Sequence, residues 1–261
     1  MRLTRVHVEA VLTPGAIVEL PRETASHLAK VLRARSGDPL ILFSGDGREY
    51  AGSVESVRGS RVTAAVGNGA DVDRESPFAI TLVQCVPRGD RMDFIVQKAT
   101  ELGVTRIVPV LSQRSVVRLD AAQAESKAAH WRAVVVNACE QCGRNRLPVI
   151  AAPVPLIGYL GSSAAGNGSP AAGSPAAETP AARFVLEPDL ESAAAPVALE
   201  TAVHIAVGPE GGFGDDELEA FRIAGFHKLR LGPRILRTET AAIAALTWLQ
   251  TRFGDMRAAQ W

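Results

Sequence analysis

Leu231-Gly-Pro-Arg-Ile-Leu-Arg-Thr-Glu-Thr-Ala241 decides how the rest of this chain is read. It closes a short strand-like segment, His227 to Leu231, and runs into a helical pattern expected from Thr238 to about Phe253. The proline disfavours a helical Gly232, and Thr238 has the side chain of an N-cap. Ile235 and Leu236 are apolar residues in a loop, a poor place for them unless they line a pocket. Upstream, Gly208-Pro-Glu-Gly-Gly-Phe213 follows the apolar run Val203 to Val207 in the same way. Two glycine-bearing loops therefore fall at the carboxyl ends of strands, where open α/β sheets hold their ligands.

Neither loop matches the dinucleotide fingerprint G-x-G-x-x-G or the phosphate loop G-x-x-x-x-G-K-[ST]. Pro209 has no amide hydrogen to give a phosphate, and no lysine is placed to reach one. The pattern points to a ligand gripped through a nucleoside or amino-acid moiety. Arg234, Arg237 and Glu239 crowd charge around the second loop. Behind them Ala241, Ala242, Ala244 and Ala245 give the last helix a face small enough for close packing.

Outward from these loops, strands and helices alternate. Ala79 to Val86 reads as a continuous apolar strand and Asp90 to Leu102 as a helix stopped by Gly103. Thr105 to Leu111 reads as a strand, Ala121 to Cys142 as a long helix stopped by Gly143, Arg183 to Pro188 as a strand region, and Asp215 to Ala224 as a helix. The alternation predicts a parallel sheet covered on both faces. Leu160 to Ala182 is nearly all Ala, Gly, Ser and Pro and reads as a flexible surface insertion.

The first seventy residues differ. Turn signals separate Ile17 to Leu20, Leu40 to Phe43, Tyr50 to Val57 and Arg61 to Val66, with one helix at Glu23 to Arg33. That spacing predicts a small β-barrel or sandwich, joined by the polar, acidic stretch Gly67 to Pro77. Two domains are expected, residues 1–73 and 74–261.

Composition bounds the partners. Lys plus Arg number 28 and Asp plus Glu 28, so a nucleic-acid partner is not legible from net charge. Residues 1–73 carry nine of each sign, and an RNA face there requires folding to segregate them. No apolar run approaches the ~20 residues of a membrane span, and the polar N-terminus does not read as a signal peptide. The cytoplasm is expected. Cys139 and Cys142 form a lone C-x-x-C with no second ligand pair, so no metal site is expected.

The two loops, with Gln97-Lys-Ala-Thr-Glu-Leu-Gly-Val104 and Glu140-Gln-Cys-Gly-Arg144, resemble the RsmE family of ribosomal RNA methyltransferases, of the SPOUT class. His27-Leu-Ala-Lys-Val-Leu-Arg33, Gly37 and Phe43 to Gly47 are similar to that family's N-terminal domain. The resemblance implies a trefoil-knotted parallel-sheet α/β domain preceded by a small PUA-like β-barrel. It implies a homodimer that uses S-adenosyl-L-methionine to methylate N3 of a uridine in 16S ribosomal RNA, free or within the small ribosomal subunit.

Carried onto this chain, the cofactor would meet Leu186, Glu187, Gly208, Pro209, Glu210, Gly211, Gly212, Leu231, Gly232, Ile235, Leu236 and Thr238. Glu239 or Glu140 would act as base, with Arg237 stabilising the imide anion. Arg114 and Arg144 would hold phosphate, and Arg2, Arg5, Lys30, Arg33 and Arg35 would form a basic RNA face. Two other readings compete. A nucleotide-dependent oxidoreductase is opposed by the missing fingerprint and Pro209; an RNA-binding module with a degenerate pocket is opposed by intact Gly208, Gly211 and Gly212.

Overall fold

The computed structural model describes residues 3–164, 182–188 and 202–256. They fall into two compact units, one within residues 1–75 and 136–147, the other within 76–135 and 148–261.

The first unit is a five-stranded sheet in the order β1-β3-β4-β5-β2. Its elements are β1 (Thr4–His7), β2 (Ile17–Glu19), α1 (Arg22–Lys30), β3 (Pro39–Phe43), β4 (Arg48–Arg58) and β5 (Arg61–Asp71). β1 runs parallel to β3, and the other pairs are antiparallel. Arg58 pairs with Arg61 across a two-residue turn, Gly59-Ser60, in which Gly59 takes φ 63°. Such a turn matches the right-handed twist of long strands. Alternation along the strands buries Val54, Val62 and Ala64 with Val6, Leu40 and Leu42, and α1 closes this core with Ala25 and Leu28.

The second unit holds β6 (Ala79–Cys85), α2 (Arg91–Glu101), β7 (Arg106–Leu111), most of α3 (Ala121–Cys142), β8 (Val149–Ile150) and β9 (Val154–Pro155). It continues with α4 (Leu156–Ala164), β10 (Ala182–Leu186), β11 (Ala202–Val207), α5 (Asp215–Ile223), β12 (His227–Leu229) and α6 (Thr238–Arg252). The strands form a wholly parallel sheet in the order β12-β10-β11-β6-β7-β8, with β9 also on β7. On one face Val83, Val108, Val185 and Ala206 pack with Leu156 and Leu160 of α4 and Phe221 of α5. α6 lies against β11 and α2, burying Ala242, Ala245, Leu246 and Leu249. The expected α/β architecture is present, with both faces of the parallel sheet covered.

Several boundaries differ from expectation for local reasons. β5 continues through Gly67 and Gly69 to Asp71, because a side chain at Gly67 would strike the Ala51 carbonyl and one at Gly69 the Tyr50 ring. These glycines allow close strand packing, so the linker is shorter than Gly67 to Pro77. α1 stops at Lys30, and Arg33 adopts a left-handed φ of 52°. α4 runs into the stretch read as an insertion, with Leu160 buried in the core; residues 165–181 of that stretch lie outside the described residues.

Candidate functional site

Three neighbouring strands, β12, β10 and β11, end together, and the segments that leave them wall a cleft of about 690 Å³. Leu186 ends β10 and leads to Pro188, Val207 ends β11 and leads to Phe213, and Leu229 ends β12 and leads to Gly232, with Arg234 to Thr238 completing the rim. All twelve residues expected at the cofactor lie on this wall. A volume in this range suits a drug-sized ligand. Ile235 stands 81% exposed at the rim and Leu236 is half-buried, so the loop's apolar residues face an open hollow.

Glycine is required here for two different reasons. Gly212 and Gly232 take φ of 67° and 74°, where other residues are strained. Gly208 lies under the Phe213 ring, and a Cβ there would come within 3.2 Å of it. Phe213 in turn packs edge-on against Phe221. The tight bend between β11 and α5 is thus pinned to the core behind it.

Buried and rim side chains hold the walls in register. The Glu217 carboxylate, 1% exposed, accepts from the Gly214 amide at 2.9 Å and from the Gln113 amide at 2.8 Å. Arg114 donates to the Gly211 carbonyl at 3.0 Å. Glu210 accepts from Arg91 and from the Arg88 amide. Thr238 donates its hydroxyl to the Gly208 carbonyl at 2.7 Å and accepts from Gln84 Nε2 at 3.0 Å. Thr238 is the first residue of α6, preceded by Arg237 in extended conformation. Its hydroxyl therefore bridges the two glycine loops, where the sequence suggested an N-cap.

The RNA methyltransferase domain family matches residues 74–250, and the RNA methyltransferase PUA domain family residues 20–66. Ribosomal RNA small subunit methyltransferase E of Mycobacterium bovis is 32% identical over 92% of this chain and 88% of its own length. The chain belongs to this methyltransferase family. The Bacillus subtilis member is 30% identical over 90% of this chain and 92% of that relative. The crystal structure of the Neisseria gonorrhoeae member, bound to S-adenosyl methionine, matches with a TM-score of 0.84 at 34% identity, covering 98% of this chain and 100% of that one.

The residues expected to act in catalysis or RNA binding are distributed unevenly. Arg237 and Arg114 lie on the cleft wall. Glu239, the second residue of α6, is half-buried, and its Oε2 has no hydrogen-bond partner among the described residues. Glu140 belongs to the first unit, where Oε1 accepts from the His7 amide at 3.0 Å. Burial raises its pKa above the ordinary carboxylate value, against the opposing pull of that amide.

Arg5 and Arg144 are not surface cations. Both are under 10% exposed. Arg5 donates to Glu49 at 2.7 Å and to Asn145, while Arg144 clasps Glu75 through Nε and Nη2. Arg74 also binds Glu49, at 3.0 Å. Burial alone would raise the Glu49 pKa, but the two arginines outweigh it and hold the carboxyl below its usual range. Desolvated guanidiniums require such partners, and carboxylates of their own unit supply them to Arg5 and Arg144. Lys30, Arg33 and Arg35 are exposed in close succession; Arg2 lies outside the described residues.

The opposite end of the parallel sheet carries a polar row, Arg183-His204-Thr81-Arg106, in register across four strands. Tyr159 bonds His204 Nδ1 at 2.9 Å. Burial, then the charges of Arg183 and Arg106, lower the His204 pKa to about 4, leaving a neutral imidazole at pH 7. Among the described residues no cluster of three His, Cys, Asp or Glu gathers as a metal would require, and no helix is long and apolar enough to cross a membrane. A bond to Cys142 and burial both raise the Cys139 pKa, and burial pushes Cys85 up to about 12, so both stay thiols.

Sequence reasoning missed Gln84 and Glu217. Glu217 carried a weak signal, an acid three residues into a helix entry. Gln84 carried a stronger one, a primary amide inside a strand otherwise read as continuously apolar.

Proposed function

We propose that the chain transfers a methyl group from S-adenosyl-L-methionine to N3 of a uridine in 16S ribosomal RNA. The supporting observation is the open cleft at the ends of β10, β11 and β12, walled by glycine loops in a chain of this methyltransferase family. Its residues fit the cofactor. Main-chain groups of Gly208 to Gly212 and Leu231 to Gly232 suit adenine and ribose, and Leu186, Ile235 and Leu236 offer apolar packing. The cofactor supplies an electrophilic methyl group, so alignment contributes much of the rate.

The protein must supply the proton chemistry. A uridine imide is neutral at pH 7, and its nitrogen attacks only as the proton leaves. Glu239 is one candidate base: its buried Oε2 carries unsatisfied acceptor capacity, and it directly follows Arg237 and Thr238 of the cleft wall in the chain. Glu140 remains the alternative, its basicity raised by burial. Arg237 on the cleft wall offers positive charge to the imide anion, a role of the oxyanion-stabilising kind. Arg114 serves an RNA phosphate from the same wall.

In this reading residues 1–73 form the RNA-binding domain, through Lys30, Arg33 and Arg35, and residues 74–261 the methyltransferase domain. The last helix threads a trefoil knot, a rare topology, and Thr238 ties its first turn to the loop it would pass. The enzyme acts in the cytoplasm as a homodimer, on free RNA or the small subunit. Mass spectrometry of 16S ribosomal RNA from cells lacking this protein tests the reading. Loss of one N3-methyluridine is expected, and unchanged methylation contradicts it.

A further inference from the structure

Gln84 is the last but one residue of β6, fully buried in the sheet. Its amide nitrogen donates to the Cys85 carbonyl at 2.9 Å and to Thr238 Oγ1 at 3.0 Å. Cys85 offers only a carbonyl at that contact, so the nitrogen must lie on this side of the amide and the oxygen on the other. Donation by Gln84 makes Thr238 Oγ1 an acceptor, and the hydroxyl hydrogen then goes to the Gly208 carbonyl at 2.7 Å. Direction is therefore fixed along the whole chain, from β6 to α6 to the loop after β11.

The arrangement is costly as a device for stability. Gln84 Oε1 is buried without a hydrogen-bond partner among the described residues, and an unsatisfied buried acceptor is destabilising. A leucine or methionine would fill the same space with no such penalty. Gln84 also does not line the cleft, whereas Gly208 and Thr238, the two groups it connects, stand on opposite glycine loops of its wall.

We infer that Gln84 is a positioning residue that sets the spacing of the two loops through the Thr238 hydroxyl, and thereby the affinity for S-adenosylmethionine. The inference rests on the proposed place of that cofactor in the cleft. Without the Gln84 donor, the Thr238 hydroxyl is free to rotate and Gly208 loses a fixed partner. The loops then sample wider separations, and binding must reorder them.

Calorimetric titration of the full-length protein with S-adenosylmethionine tests this, alongside denaturant unfolding. Gln84→Met is expected to weaken binding about tenfold, the worth of one well-placed buried hydrogen bond, while unfolding stability stays level or rises. KM for S-adenosylmethionine rises in step, and kcat at saturating cofactor changes little. Thr238→Val reproduces the loss, the double variant binds no worse than Thr238→Val alone, and Thr238→Ser restores binding. Wild-type affinity in Gln84→Met, or losses that multiply in the double variant, overturns the role of Gln84 alone. If Gln84→Met does not fold, failure of Thr238→Val to weaken binding overturns it equally. A wild-type protein that binds no S-adenosylmethionine overturns the proposed function itself.

Discussion

Two sets of arginines, one from each unit, are used in opposite ways. In the first, Arg5, Arg74 and Arg144 are matched to Glu49 and Glu75, and two of the three guanidiniums are almost wholly removed from water. In the second, Arg114, Arg234 and Arg237 are exposed along a cleft walled by two glycine loops. Arginine carries the same charge in both settings; what differs is whether a carboxylate is folded against it. A guanidinium buried with its partner is part of the scaffold, and one left at the rim of a hollow is available to a ligand.

The sharpest test exchanges one arginine from each setting. Arg144→Ala leaves the half-buried Glu75 without its partner, and such a loss costs up to about 3 kcal/mol, read as a fall in the free energy of denaturant unfolding. Arg237→Ala should leave stability within about 0.5 kcal/mol and S-adenosylmethionine affinity within about twofold, yet lower kcat about a hundredfold. Comparable stability losses in the two variants would break the distinction.

Acid separates His204 of the second unit from Glu49 of the first. The pKa of His204 is about 4 in the folded protein against 6.5 ordinarily. Between these values the unfolded chain binds more protons, so this contribution is complete above pH 6.5 and is lost as pH falls toward 4. Its full size is of the order of 3 kcal/mol. Glu49, with its pKa lowered from 4.5, contributes stability above that value and loses it only at lower pH. Unfolding of wild type at pH 7 and pH 5 should show the drop, and His204→Gln should reduce it, leaving the part due to His7, whose pKa burial also lowers. Glu49→Gln should leave the drop between those two pH values in place. A wild-type stability equal at both would show that His204 is not held neutral by its surroundings.

Smaller effects are expected at Gly212 and Cys142. Gly212→Ala places a side chain at φ 67° with open space around its Cβ, so strain alone costs about 1–2 kcal/mol. Cofactor affinity should fall further than that strain explains, since the methyl group enters the cleft wall. Cys142→Ser should change neither stability beyond about 0.5 kcal/mol nor activity, measured under reducing and non-reducing conditions alike.

How much of this was legible in the sequence follows from the range of the forces involved. The parallel sheet could be read because strands covered on both faces are continuous apolar runs. The cleft loops could be read because glycine and proline mark backbone conformations locally. β1 and the tail of β5 could not, since pairing to β3 and β4 is settled by partners distant in the chain. The partners of Arg5 and Arg144 were hidden for the same reason: Glu49 and Glu75 lie 44 and 69 residues away. Gln84 acts on a residue 154 positions on. In the sequence it shows only as a polar interruption of an apolar run.

The central claim is that the hollow between the two glycine loops is where the methyl donor sits, and a crystal structure of the protein grown with S-adenosylmethionine tests it most directly. The account predicts density for the cofactor against Leu186, Gly208 to Gly212 and Leu231 to Leu236, with Thr238 still bonded to the Gly208 carbonyl. Cofactor density at another place in the molecule, with this cleft holding only solvent, would contradict it.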